Sequence, residues 1–241
     1  MRGVIRNVGW LLVAAVLCVV PSAFAGTVNL QIDNPPSNNI LDGIYVGSYS
    51  AMNTATGAQT HIICDDFKDD SNFNAATYVV HSFGNFIGTV WGSGAATQYQ
   101  EAAWLTLGML QQTGATQGYY SYAIWALFDP SDVANWLTGY GDSSACNAVF
   151  GSGSWGGSKC TAGKGGLVGL ATGQQFYQGE FSNFLILTPT CSAGPGTCQE
   201  QEFFQLVPEG GSTALYLVLA GLACFGALVY SRRRAASAGP A

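Results

Sequence analysis

The chain has 241 residues, of which only 9% are charged and 48% are apolar, with 32 glycines. With its two ends set aside, residues 26–212 hold all fourteen acidic side chains but only three basic ones, Lys68, Lys159 and Lys164, a formal charge of −11. Such a surface repels phosphate backbones and excludes a nucleic-acid partner, and a segment of this size suits one domain.

The N-terminal stretch carries Arg2 and Arg6, an apolar run from Val8 to Val20, and Ala23-Phe24-Ala25 before Gly26. Small residues at Ala23 and Ala25 form a signal-peptidase signature, so residues 1–25 read as a cleavable signal helix. Beyond it, Gly26 to Ile32, Gly43 to Ser50, Thr60 to Cys64 and Ala76 to Ser82 carry β-formers between turn residues and predict four short strands. Asn34 to Asn39 is a loop, and Asp65, Asp66, Asp69 and Asp70 read as a solvated acidic turn.

From Gln98 the pattern changes. Ala102, Ala103, Trp104, Leu105, Leu107, Met109 and Leu110 predict a helix, and Tyr119 to Phe128 a second. Asp129-Pro130 stops that one, and Ser131 or Asp132 is a cap for a third carrying Val133, Trp136 and Leu137. Gly141 to Gly166 reads as an extended Gly/Ser-rich surface loop, with Phe181 to Leu187 and Glu202 to Val207 as closing strands. The expected class is α+β: a β-rich secreted domain over residues 26–206 with an inserted helical block, plus the N-terminal signal helix and a C-terminal single transmembrane helix.

That last element is predicted from Thr213 to Tyr230, which holds no charged residue and as a helix reaches about 27 Å, enough for a bilayer core. Arg232, Arg233 and Arg234 follow it, a cluster expected on the cytoplasmic side, which puts the domain outside in an inner-membrane anchored precursor. Export places five cysteines in an oxidising compartment, where Cys146 with Cys160 and Cys191 with Cys198 is the simplest pairing. Cys64 is the thiol left over, between the readings of a small buried hydrophobe and a reactive group.

The catalytic templates are missing: no Gly-x-Ser-x-Gly elbow, no Cys-x-x-Cys and no His-Glu-x-x-His. His61 and His81 are the two histidines, and strand alternation leaves His81 as the one base within reach of Cys64, the arrangement a cysteine hydrolase requires. No cofactor or metal site is expected, and no catalytic residue is assigned.

The tail Val207-Pro208-Glu209-Gly210-Gly211-Ser212, its apolar span and its arginine cluster resemble the PEP-CTERM sorting signal of Gram-negative bacteria over residues 207–241. The resemblance implies cleavage by an exosortase near Pro208 and Glu209, delivery to the cell surface or extracellular matrix, and association with extracellular polysaccharide. Gly210 stands where the family has its second proline, and the Gly210-Gly211 pair is similar to tails cut by rhombosortase. Ile63-Cys64-Asp65-Asp66-Phe67, Glu101-Ala-Ala-Trp104-Leu105 and Ala123-Ile124-Trp125 resemble bacterial surface thioester domains, whose Cys and Gln condense to an internal thioester. Ser121 stands at the Gln position, and Gln117, one helical turn earlier, is the nearby substitute. The resemblance implies a thioester-domain-like fold without the reactive bond, or, as the alternative, a covalent adhesin using Cys64.

Overall fold

A computed structural model describes residues 26–33, 40–68, 73–191, 200–207, 221–223 and 225–226. Ten strands are present among these: β1 (Gly26–Ile32), β2 (Ile40–Leu41), β3 (Ile44–Tyr45), β4 (Ser48–Asn53), β5 (Gln59–Cys64), β6 (Ala75–Ser82), β7 (Trp155–Gly156), β8 (Lys159–Cys160), β9 (Phe184–Pro189) and β10 (Phe203–Leu206). The helices are α1 (Ala96–Met109), α2 (Gly114–Phe128), α3 (Pro130–Tyr140), α4 (Ser143–Phe150) and α5 (Gly166–Thr172), with a 3-10 turn at Ser93–Ala95.

Six strands close into an antiparallel barrel in the order β1-β4-β5-β10-β9-β6. This corrects the expected α+β arrangement of strands, helical block and strands again. The late strands β9 and β10 do not form a separate closing layer; they insert between β5 and β6, with Phe203 opposite Cys64 on one side and Leu187 on the other. Closure satisfies every edge, which an open sheet of six short strands does not.

Phe203 shows which face is interior. Its ring meets Tyr49 of β4 and Tyr78 of β6, strands two places away on opposite sides, at centroid distances of 6.0 and 5.8 Å. The register then puts Cys64, Leu187 and Val80 on the same inner row. Phe204, one residue on, faces out and packs edge-on against Tyr99 of α1 at 6.0 Å, so Ile63 and Ile186 in its row lie under the helices. Ile62, Ile63 and Cys64 are all buried for this reason: β5 is covered on both faces.

The helical block is organised around α2, whose residues Ser121 to Ala126 are buried in an unbroken run. A helix apolar on every side belongs at the centre of its layer. The third helix is capped by Asp129, whose carboxylate accepts from the Asp132 N–H, with Pro130 at the first helical position, in place of the expected Ser131 or Asp132 cap.

The expected loop from Gly141 to Gly166 is also corrected. Asp142 caps α4 by accepting from the Ala145 N–H, and β7 and β8 form a hairpin around Gly157 and Ser158, both at positive φ. A disulfide joins Cys146 of α4 to Cys160 of β8, as the spacing predicts. Cys191 is disulfide-bonded as well, and its expected partner Cys198 lies outside the described residues.

The expected C-terminal transmembrane helix is corrected too. Among the described residues no helix is long and apolar enough to cross a membrane. Within the expected span residues 221–223 and 225–226 are described, helical and exposed, and the rest of the span lies outside the described residues. The signal segment with Ala23 and Ala25, and the sorting positions Pro208, Glu209, Gly210, Gly211, Arg232, Arg233 and Arg234, lie outside the described residues.

Candidate functional site: a sealed cysteine between barrel and helices

Cys64 ends β5 on the barrel's inner face and is 2% exposed. Its thiol donates to the Asp66 carbonyl at 2.9 Å, and its own carbonyl accepts from the Trp125 indole N–H at 3.0 Å. Trp125 sits on α2, and one turn earlier on the same helix Ser121 Oγ accepts from the Gly47 N–H at 2.8 Å. Ser48 pairs with Ile63, so Gly47 lies beside Cys64 at the end of the β4–β5 ladder. The structure therefore brings together the cysteine strand and the helix of Ser121 and Trp125.

What they can do chemically is limited. An internal thioester needs a carboxamide carbon in reach of the thiol sulfur, and Ser121 has none. Its hydroxyl is already engaged, accepting from Gly47 and donating to Met109 Sδ at 3.4 Å. Burial first, then the nearby Asp65 and Asp66 carboxyls, push the Cys64 thiol well above its ordinary range. A thiol held protonated is neither nucleophile nor metal ligand. Gln117 is half-buried on α2, one turn before Ser121. Cys64 in the native chain is expected to react with iodoacetamide at least about 100-fold more slowly than in urea. Equal rates in the two conditions would show that the seal is not real.

The two histidines are placed apart from Cys64. His81 on β6 pairs with Ile186, which is in the row of Phe204 and Ile63, whereas Cys64 is in the row of Phe203. One residue of register separates these rows, so His81 lies on the barrel's outer face and Cys64 on its inner one. His61 is exposed, three residues before Cys64, on the outer face too. No cysteine–histidine pair is assembled.

The expected solvated acidic turn is overturned at its first two residues: Asp65 and Asp66 are both fully buried, while 69 and 70 lie outside the described residues. Asp65 faces Glu202 of the segment entering β10, and the Asp65 N–H donates to the Glu202 carbonyl at 3.3 Å. Glu202 is a strong acceptor site. It takes hydrogen bonds from the Tyr99 hydroxyl at 2.5 Å, the Val90 N–H at 2.8 Å and the Thr188 hydroxyl.

Asp65's carboxyl oxygens meet no N–H or O–H donor among the described residues. The bond left to it is to keep its proton and donate to Glu202. Burial, and then the Glu202 charge, raise Asp65 well above the carboxylate range, in keeping with one proton shared by the pair. No group of three or more His, Cys, Asp or Glu side chains suited to a metal ion is found among the described residues.

No protein-family model matches the chain, and neither a curated protein nor a solved structure matches it.

Proposed function

We propose that the chain is an exported, non-catalytic protein of the cell surface or extracellular matrix, trimmed at both ends, whose body is a thioester-type scaffold without the reactive bond. One observation carries this reading. The strand of Cys64 and the helix of Ser121 and Trp125 are joined by hydrogen bonds from the Trp125 indole to the Cys64 carbonyl and from the Gly47 N–H to Ser121, while the thiol is sealed from solvent and Ser121 stands where the resemblance has its glutamine.

The Pro208-Glu209-Gly210-Gly211 strip supports processing by a sorting protease of exosortase or rhombosortase type, since glycine-containing strips beside a folded domain are accessible to proteases. The body begins its first strand at Gly26, the residue after the signal-peptide signature, so removal of residues 1–25 leaves the barrel whole. Extracellular polysaccharide is the partner that the tail's resemblance supports.

Mass spectrometry of the secreted product tests the reading. Gly26 is expected as the first residue, a new C-terminus between Pro208 and Ser212, and a mass with no loss of ammonia. A product that keeps Arg232 to Arg234 would sink the sorting part. Loss of one ammonia, with Cys64 released by methylamine, would replace the scaffold with the covalent adhesin.

A further inference from the structure

The third helix has two faces of different use. Val133, Ala134 and Leu137 are buried against the domain. Asp132, Asn135, Trp136, Gly139 and Tyr140 recur at helical spacing on the other side and, with Phe67 and Lys68, line an open groove of about 640 Å³. That volume falls within the ~300–1,000 Å³ of small-ligand sites.

Aromatic surface dominates one wall. The Trp136 and Tyr140 rings lie side by side with centroids 5.1 Å apart and 33° between their planes. Phe67 braces Trp136 edge-on at 5.8 Å. Tyr140 remains 54% exposed, which leaves a ring face open to the groove. Polar groups share the groove: the Asn135 amide, the Asp132 carboxylate, and the Lys68 ammonium, which is 2.7 Å from Asp129 and 3.7 Å from Asp132.

Gly139 leaves the groove floor without a side chain. Glycine is a poor helix residue. A side-chain carbon built at Gly139 meets nothing within 4 Å. The groove is therefore open at this position, where a larger side chain would stand in it.

We infer that this outward face of α3, with Phe67 and Lys68, is a binding groove for a neutral pyranose chain. A pyranose ring offers a flat C–H face to an aromatic wall, while its edge hydroxyls both donate and accept. Asp132 takes donated protons, Lys68 gives them, and the Asn135 amide does both. The two carboxylates outnumber the one ammonium, and the 26–212 segment is strongly acidic, so an anionic polymer is disfavoured. A proline helix also suits aromatic grooves, but it presents acceptors only and offers the half-exposed Asp132 carboxylate no hydrogen-bond donor of its own. The inference deepens the matrix-protein reading by giving its polymer a site, and rests on that reading for the polymer's presence.

The test uses the mature secreted chain titrated with cellohexaose and maltohexaose as neutral probes, an alginate hexamer as the anionic probe and decaproline as the peptide probe. Trp fluorescence and calorimetry are the readouts. At least one neutral hexaose is expected to bind at submillimolar concentration, and Tyr140→Ala to weaken it at least tenfold. Gly139→Leu is expected to abolish binding while leaving the thermal midpoint unchanged or higher, which separates a blocked groove from a misfolded chain. Absence of binding by both neutral probes, tighter binding of alginate or decaproline, or full binding by Gly139→Leu would overturn the inference. Correctly trimmed ends without sugar binding would remove this site alone; sugar binding by an untrimmed product would remove the sorting reading alone.

Discussion

Replacing Glu202 with alanine is expected to cost about 3–5 kcal/mol, read as a large drop in the urea midpoint, because it leaves three buried donors and a protonated acid with no acceptor. Those donors are Tyr99, Val90 and Thr188, and they come from α1, the loop before it and β9. One carboxylate therefore ties the helical block to two barrel strands. Asp65→Asn is expected to change stability by no more than about 1 kcal/mol, since an amide N–H can donate to Glu202 as the acid does. If Asp65→Asn proved as damaging as Glu202→Ala, the proton would have been placed on the wrong partner.

The same pair sets a pH dependence. Asp65 keeps its proton in the folded chain well above the carboxylate range, whereas the unfolded chain releases it near about pH 4. Between those two values the folded state binds more protons. Stability from this site is therefore fully present below about pH 4 and falls as pH rises towards the folded value. Burial raises Glu101 and tilts the curve the same way; it lowers His81, which opposes the trend below about pH 6.5. Melting curves of the parent and of Asp65→Asn across pH 4–8 should differ in slope, the variant being flatter. Identical slopes would mean that Asp65 does not hold the proton.

Gly166→Ala is the second change with a large expected effect, a loss of about 3–5 kcal/mol in denaturant titration. The residue sits at φ +54°, and a β-carbon there would come within 2.3 Å of the Ala148 carbonyl and 2.7 Å of the Gly151 nitrogen. All of these are backbone atoms at the end of α4, so no side-chain rotation relieves the clash. The start of α5 closes against that end at Gly151 and Gly165, where the Gly165 N–H donates to the Phe150 carbonyl at 3.1 Å. A midpoint unchanged by this substitution would show that α4 and α5 do not meet as described.

Much of this architecture was open to reading residue by residue, and the failures share a cause. The strands at Gly26 to Ile32 and Ala76 to Ser82 and the helices at residues 98–110 and 119–128 follow from local pattern, as does the Cys146–Cys160 bridge. Two hairpins are legible in their turn residues. Asp42-Gly43, both at positive φ, turns β2 into β3 between the expected Asn34–Asn39 loop and the expected Gly43–Ser50 strand, and Gly157-Ser158 turns β7 into β8 inside the expected Gly141–Gly166 loop.

Barrel closure was not legible, because pairing Phe203 with Cys64 across more than a hundred residues leaves no local trace. Burial of Asp65 was hidden for a related reason. An acid following Ile62-Ile63-Cys64 looks like a turn until Glu202 arrives from the far end of the domain. The α3 groove is concealed differently: Val133, Trp136 and Leu137 share one helical spacing, and only the folded chain shows that Trp136, half-buried against the core, also lines the open side with Tyr140.

The placement of β10 has a consequence for how this molecule is made. Residues 184–189 and 203–206 slot as a pair between β5 and β6, strands laid down far earlier in the chain, so the cylinder lacks two staves until nearly all of the domain has been synthesised. Elongation of the chain and closure of the cylinder are then obligatorily separate events, and the late, long-range step should make folding slow.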